Sequence, residues 1–403
     1  MKPLPVKILV SMFIMSLLFL NKEWLVIYGW GITALMYFAF ILDLKNVRTF
    51  SFHSNVHGSR IFLLAMLALL STLWSPDAEA TLQHAFVMFI LVANSFILYY
   101  FLVRYQLHGM VTSIVLIYAF INYSLALGLP VFKFLENHDD EMMRFIGTEL
   151  NPNYLSIMLM FSIFLSLLAF HRNQLKTRMA KGLHLLNILL ALYTIFLTAS
   201  RKGIGFGLLL ICFYGLIHIK SLLGSFKTIA IGAIAIFAIS FFMKGDFVNE
   251  NIAPAMDRIG RLFLTIGGRD NEGSTEDRVK FIREGWQQFT ASPIIGYGAA
   301  SFRYYYHFYA HNNYIELLFG VGFLGPVIYY SIHFSILNKL RKYRTGIFLA
   351  AFLIVLMLMD VGLVAYYDKR IMLMLLLIII TADREIQEKQ LSDSLRRFPL
   401  SLN

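Results

Sequence analysis

Three sets of residues in this sequence have types that could do chemistry on an anionic or hydroxylated substrate. The first is Arg201-Lys202, inside TASRKGIGFG at 198–207, between two apolar runs with almost no loop. Two cations at such a place are costly unless they meet a partner or water. They read as an anion site, or as a turn whose side chains snorkel to the interface. The second is Arg278, in a helix expected after Gly273. Ser274 and Asp277 stand at capping-box spacing. Val279, Ile282, Trp286 and Phe289 then form an amphipathic stripe that stops near Ser292-Pro293. Arg278 borders that stripe, directed toward the membrane domain or paired with Glu276 or Glu284. The third is His311, at the head of HNNYIELLFGVGFLG. A neutral imidazole in a half-dry cavity can take a proton from a hydroxyl, and a histidine at a helix start can also be a structural hydrogen-bonder.

Arg278 and His311 lie in the one long polar interval, from Lys244 to about Gly325. It carries the charges Arg269, Asp270, Glu272, Glu276, Asp277, Arg278, Lys280, Arg283 and Glu284. The surrounding chain is built for lipid. Of 403 residues 58% are hydrophobic and 15% charged, with a mean hydropathy of +0.66. A soluble domain carries about a quarter charged residues. The net charge of +11 therefore reads as basic cytoplasmic loops, and nucleic acid is not an expected partner. The single cysteine, Cys212, allows no intrachain disulfide and no cysteine-based zinc site.

Spans of about 20 apolar residues are expected at 5–21, 24–43, 60–74, 82–103, 109–129, 154–170, 184–199, 203–220, 227–243, 313–337, 346–366 and 370–382. The expectation is an all-α integral membrane protein with about twelve transmembrane helices in one polytopic domain, 1–403. Its long extracytoplasmic loop, 244–312, contains the amphipathic helix, and residues 383–403 form a polar cytoplasmic tail. The basic N-terminal run lacks a small-residue cleavage site and reads as a retained first span. With the N-terminus inside, Lys45, Arg48, Arg104, Arg172, Lys176, Arg178 and Lys181 fall in cytoplasmic segments, and both termini are cytoplasmic. Short outer loops hold fewer cations, among them Lys22, Lys133 and Arg144.

Several features have plainer readings. Gly203, Gly205 and Gly207 follow no strand, so they suit helix packing better than a dinucleotide loop. Gly320, Gly322 and Gly325 likewise permit close helix contact. Tyr304, Tyr305, Tyr306, Phe308 and Tyr309 suit sugar rings or the membrane interface. Asp139-Asp140-Glu141 reads as a solvated acidic loop that could bind a metal or sugar hydroxyls. Asp360 reads as a buried residue paired with Lys369 or Arg370.

The order of these pieces resembles the bacterial O-antigen ligase and O-antigen polymerase family. The resemblance rests on a span ending in Ser200-Arg201, then an outer loop carrying Arg278, Trp286, Phe289, Ser292-Pro293, Ile295-Gly296 and Gly298. His311-Asn312 and a glycine-bearing span follow. Trp74-Ser75-Pro76 and Asn151-Pro152-Asn153 also resemble it. The resemblance implies a GT-C-like scaffold in the bacterial cytoplasmic (inner) membrane. It implies a metal-independent, inverting transfer of glycan from an undecaprenyl diphosphate carrier to an acceptor hydroxyl on the outer face, with no cofactor. By matching position, Arg201 and Arg278 would bind the diphosphate and His311 would act on the acceptor. Lys202, Asn312, Asn313, Arg283, Asn153 and Tyr306 are the further candidates for holding substrate. The implied partners are the lipid-linked oligosaccharide, an acceptor glycolipid, membrane lipid and a chain-length regulator.

The HNNYIELL run and the aromatic-rich loop favour a polymerase of repeat units over a ligase that joins glycan to lipid A-core. A polysaccharide-lipid transporter or flippase is the rival of another class; it would place ionisable residues near mid-membrane. A non-catalytic assembly partner is a further rival. The orientation is directly testable. In a Cys212→Ser background, a membrane-impermeant thiol reagent added to intact cells is expected to label a cysteine at Ser274 and spare one at Ser221. The reverse labelling would overturn the orientation and the outer-face site with it.

Overall fold

The computed structural model describes residues 3–19, 23–137, 145–218, 273–341 and 346–397. The expected span at 227–243, the acidic run Asp139-Asp140-Glu141 and the loop segment 244–272 lie outside the described residues. Among those described, all regular structure is helical. The N-terminal helices are α1 (Pro3–Phe19), α2 (Glu23–Leu42), α3 (Leu44–Val47), α4 (Val56–Leu70) and α5 (Ala78–Arg104). Next come α6 (His108–Ala126), α7 (Pro152–His171), α8 (Arg178–Leu197) and α9 (Arg201–Ile217). After the loop come α10 (Gly273–Ala291), α11 (Phe302–Tyr306), α12 (Asn313–Val321), α13 (Leu324–Leu340), α14 (Gly346–Met359) and α15 (Lys369–Arg397). Six helices are long and apolar enough to cross a membrane, at 25–42, 56–73, 78–104, 108–126, 152–171 and 178–197. Shorter apolar helices cover 4–19, 202–217 and 346–362.

The helix starts follow local chemistry. Asp77, Asn151, Thr177, Ser200 and Asn312 each precede a helix and accept a backbone N–H from its first turn. These residue types cap helix N-termini because a short side-chain oxygen replaces the missing carbonyl partner. Pro152 occupies the first position of α7, where its missing N–H costs nothing.

The chain forms two compact units. One contains Met1–Val6, Tyr37–His108 and Asp277–Asn403; the other contains Lys7–Met36 and Gly109–Glu276. In the second unit α7 is buried over most of its length and packs on α8 and α9. Tyr123 donates to Asn187 Oδ1 at 2.8 Å, and Tyr118 donates to the fully buried Glu149 at 2.8 Å.

In the first unit α4 packs on α5 and α13, and α15 packs on α5. The single span expected at 313–337 is two helices here. The chain breaks at Gly322, whose φ is +66° and whose absent Cβ leaves room for the Ile294 carbonyl. Only glycine adopts that backbone and approach without strain. Phe323 N–H then donates to Pro293 O at 2.8 Å, so the incoming loop closes the break. The expected polar tail also begins as helix: α15 continues to Arg397, and Asp383 pairs with Lys339 at 2.9 Å.

Asn313 is the polar knot of this unit and is fully buried. Its amide donates to Tyr330 Oη at 3.1 Å and Asp360 Oδ2 at 3.3 Å. Its oxygen accepts Ala365 N–H at 2.9 Å and Tyr366 N–H at 3.1 Å. Two expectations change as a result. Asn313 is a structural clamp and not a substrate ligand, since its amide is saturated inside the protein. Asp360 is indeed buried, but its partners are Tyr330 and Asn313; Arg370 pairs with Asp368 at 2.9 Å. Asn313→Leu would strand the Ala365 and Tyr366 amides, at about 1–3 kcal/mol for each orphaned group. A clearly lowered Tm of the detergent-purified variant is expected. A wild-type Tm would show that the knot does not hold these helices.

Candidate active site

Helix α10 presents two different faces. Phe281 packs edge-on against Phe302, with centroids 5.8 Å apart, and Gly285 leaves room for Ile315 and Phe302. Together with Ala310, Phe319, Tyr297 and Tyr306 these residues form one apolar cluster. The expected stripe lies elsewhere: Val279 and Trp286 are each about half exposed, at 51% and 52%. The helix is therefore amphipathic as expected, but it docks through Phe281 and Gly285 and leaves Val279, Ile282 and Trp286 open. Arg278 is one turn before Phe281, on the docking side, and is half-buried. Its charge acts on the Tyr309 hydroxyl. Arg283 is exposed on the same helix and lines no part of the cleft described below. Tyr306 is half-buried and packs its ring against the apolar cluster, 4.5 Å from Phe302 and 6.1 Å from Phe319.

The loop that follows is strapped down on both sides. Tyr297 N–H donates to Phe319 O at 2.9 Å and Gly298 N–H to Gly320 O at 2.7 Å. Ala299 N–H donates to Ser71 Oγ at 3.0 Å, while Ala299 O accepts from Thr81 Oγ1 at 2.7 Å. Thr81 is in turn 2.7 Å from Ser75 Oγ. Trp74-Ser75-Pro76 thus acts through Ser75 as part of the seat for this loop. Gly298, with φ of +105°, lies where a Cβ would strike Ser75.

Beyond the strap the backbone enters the left-handed region at three non-glycine residues: Ala300, His307 and His311, with φ of 63°, 61° and 54°. Such conformations persist only when the surroundings enforce them. At His311 the enforcement is visible. Ala310 N–H donates to Glu316 Oε2 at 2.7 Å, and Asn312 caps α12 by accepting Ile315 N–H at 3.1 Å. The helix-start role expected for His311 therefore belongs to Asn312, which is buried and whose Oδ1 is used by the cap. His311 is half-buried, with its ring centroid 4.0 Å from that of Tyr309.

Tyr309 also forms one wall of a cleft of about 330 Å³, lined by Asp77, Gln83, His84, Arg303, Tyr304, Glu316 and Tyr367 among others. Tyr366 and His84 Nε2 lie 2.7 Å apart, and Tyr367 stands edge-on to His84 at 4.8 Å. Burial pushes the Tyr309 phenol above its usual range; the charges of Arg278 and Arg303 pull it down and Glu316 pushes it further up. The cleft thus joins one guanidinium, two carboxyl groups, an imidazole and several tyrosine rings. Such a set can bind hydroxyl groups and position a proton acceptor beside them.

Sequence reasoning did not find His84, Arg303, Glu316 or Tyr367. Arg303 and Glu316 had a legible signal: both flank His311 within the same aromatic and HNNYIELL stretches. His84 and Tyr367 had none, because only folding brings their helices together.

Arg201, Lys202 and Asn153 lie in the second unit. Arg201 opens α9, and its side chain is outside the described residues. Lys202 is half-buried. Ser200 caps α9 by accepting Gly203 N–H at 3.2 Å and donates to Asn153 Oδ1 at 2.9 Å. Asn153 is thereby brought to the N-terminus that carries Arg201-Lys202. The turn into it again uses a left-handed residue, Ala199, with φ of 47°.

No curated protein matches the chain. Residues 186–330 match the family model described as O-antigen ligase, a segment that contains Arg201, Lys202, Arg278, Arg283, Tyr306, His311, Asn312 and Asn313. Over that segment the chain is similar to the O-antigen ligase family, in line with the resemblance read from the sequence.

Proposed function

We propose that this protein transfers a glycan from an undecaprenyl diphosphate carrier to a sugar hydroxyl at the outer face of the bacterial inner membrane, joining polysaccharide repeat units. The observation that carries this reading is that Arg278 and His311 both neighbour Tyr309, the first through its charge and the second through a ring contact at 4.0 Å, within the matched family segment. In the reaction the acceptor oxygen attacks the anomeric carbon. The bond from that carbon to the diphosphate oxygen breaks, and its electron pair leaves with the diphosphate. Attack from the opposite face inverts the anomeric centre. The acceptor proton passes to an imidazole nitrogen of His311, and Arg278 stabilises the charge gathering on the diphosphate; by the family resemblance Arg201 is a further anion-binding residue.

The physical logic is electrostatic. A guanidinium offers two parallel donors to phosphate oxygens. Donors aimed at developing charge are worth about 10²–10³ in rate each, and a general base about 10²–10⁴. The described residues contain no group of three or more His, Cys, Asp or Glu placed to hold a metal ion. The match to the O-antigen ligase family supports a second reading, a ligase that moves the glycan once onto lipid A-core.

Arg278→Ala and His311→Ala are expected to reduce transfer by about 10² or more while membrane abundance stays near wild type. Arg201→Lys should lose more activity than conservation of charge suggests, because an ammonium cannot make the bidentate contact. Chelator should leave the purified enzyme active. Full activity of His311→Ala would remove the general-base role, and inhibition by chelator that magnesium reverses would remove the metal-free mechanism.

Given only the undecaprenyl diphosphate repeat unit, the purified protein is expected to make a ladder of products spaced by one repeat and to release undecaprenyl diphosphate. No ladder, with donor consumed once lipid A-core is added, would establish the ligase reading instead. Neither product, with labelled lipid crossing the bilayer of proteoliposomes, would establish transport.

A further inference from the structure

The cleft beside His311 has a chemistry that neither the diphosphate nor a lipid tail satisfies. Two carboxyl groups, Asp77 and Glu316, face one guanidinium, Arg303. A diphosphate placed there would meet like charge and a buried acidic wall, at a cost that one arginine does not offset. An alkyl chain would strand the cleft's polar groups without partners. A sugar suits both sides of the lining. Its hydroxyls are donors to carboxylates and acceptors from a guanidinium. Its C–H face fits against the Tyr309 and Tyr367 rings.

The lining is also held in place before any ligand arrives. Glu316 is 93% buried, since only 7% of its surface is exposed. Oε2 accepts Ala310 N–H at 2.7 Å, and the carboxyl lines the cleft. A carboxyl fixed at one oxygen can accept a ligand hydroxyl at the other. His84 is fixed by the Tyr366 hydroxyl at 2.7 Å. The volume, about 330 Å³, is at the small end for ligand sites and suits one or two sugar rings rather than a whole repeat. Tyr309 lines the cleft and also touches the His311 ring at 4.0 Å, so a single aromatic side chain links the cleft to the imidazole.

We propose that this cleft is the acceptor-sugar subsite, in which Glu316 and Arg303 hydrogen-bond ring hydroxyls, Tyr309 and Tyr367 cover the ring faces, and one hydroxyl is left toward His311. The assignment to the acceptor rests on the glycosyl-transfer reading above; the binding of a sugar does not.

Saturation-transfer NMR on the full-length protein in nanodiscs tests it, with glucose, galactose, N-acetylglucosamine and glucuronate as probes at millimolar concentration. At least one sugar is expected to receive saturation from the wild type. That signal is expected to fall at least about fivefold in Glu316→Gln and Arg303→Met and to persist in His311→Ala. The glutamine keeps an oxygen for Ala310 N–H, and an unchanged Tm certifies that each variant is folded. Paired transfer assays are expected to show a raised KM for the acceptor in the same two variants, with kcat less affected. No sugar signal from the wild type would overturn the proposal, as would a signal unchanged in both variants. Pyrophosphate that displaces the sugar from the wild type would also overturn it, by making the cleft an anion site. Sugar binding without glycan transfer by the wild type would support the subsite and reject the transferase reading. Transfer with wild-type kinetics in both variants would do the opposite.

Discussion

The bond from Ala310 N–H to the buried carboxyl of Glu316 is the constraint on which the site depends. It closes a short turn over a residue, His311, whose backbone is in the left-handed region. A bulky residue there costs free energy, so the turn needs a fixed partner on each side. Glu316 supplies one from the first turn of α12, and Asn312 supplies the other as the cap of the same helix. The imidazole is therefore positioned by α12 and not by the loop before it. The next residue, Asn313, ties that helix to Asp360, Tyr330 and the segment before α15. One run of six residues, 311–316, thus holds a histidine, a cap, a clamp and a cleft wall.

This arrangement explains which parts of the site were legible in the sequence. The six spans, the amphipathic helix and its stop at Ser292-Pro293 follow from local composition and spacing, and they could be read. Asn312 and Asn313 could not be placed correctly, because both look like polar ligands beside a histidine. Their roles are set by partners 17 to 53 residues away or by a helix start shifted by one residue. The division of the span at Gly322 was hidden for the same reason. Glycines at 320, 322 and 325 suggest close packing of helices, but Gly322 meets the backbone of Ile294 and Gly320 that of Gly298 and Ala299, in the incoming loop. His84 is a lone histidine in an apolar run, and only the fold shows Tyr366 and Tyr367 around it.

The backbone of the loop from Gly296 to Ala310 bears on how an anion can be recognised. Its N–H groups at 296, 297, 298, 299, 301, 303, 304, 305, 307 and 310 all have acceptors within the protein. Backbone nests that cradle phosphates need several free N–H groups converging on one point. These ten are committed to Ser292, Phe319, Gly320, Ser71, Glu316 and carbonyls of the loop itself. None of these ten is left to cradle an anion, so an anion bound there would rely chiefly on side chains. Among the cations near Tyr309, Arg303 shares its cleft with two carboxyl groups, whereas Arg278 approaches from α10 on the docking face. Tyr309 is thus common to two environments, an acidic cleft suited to hydroxyls and the charge of a guanidinium suited to phosphate oxygens, and the His311 ring is tilted against it at 4.0 Å.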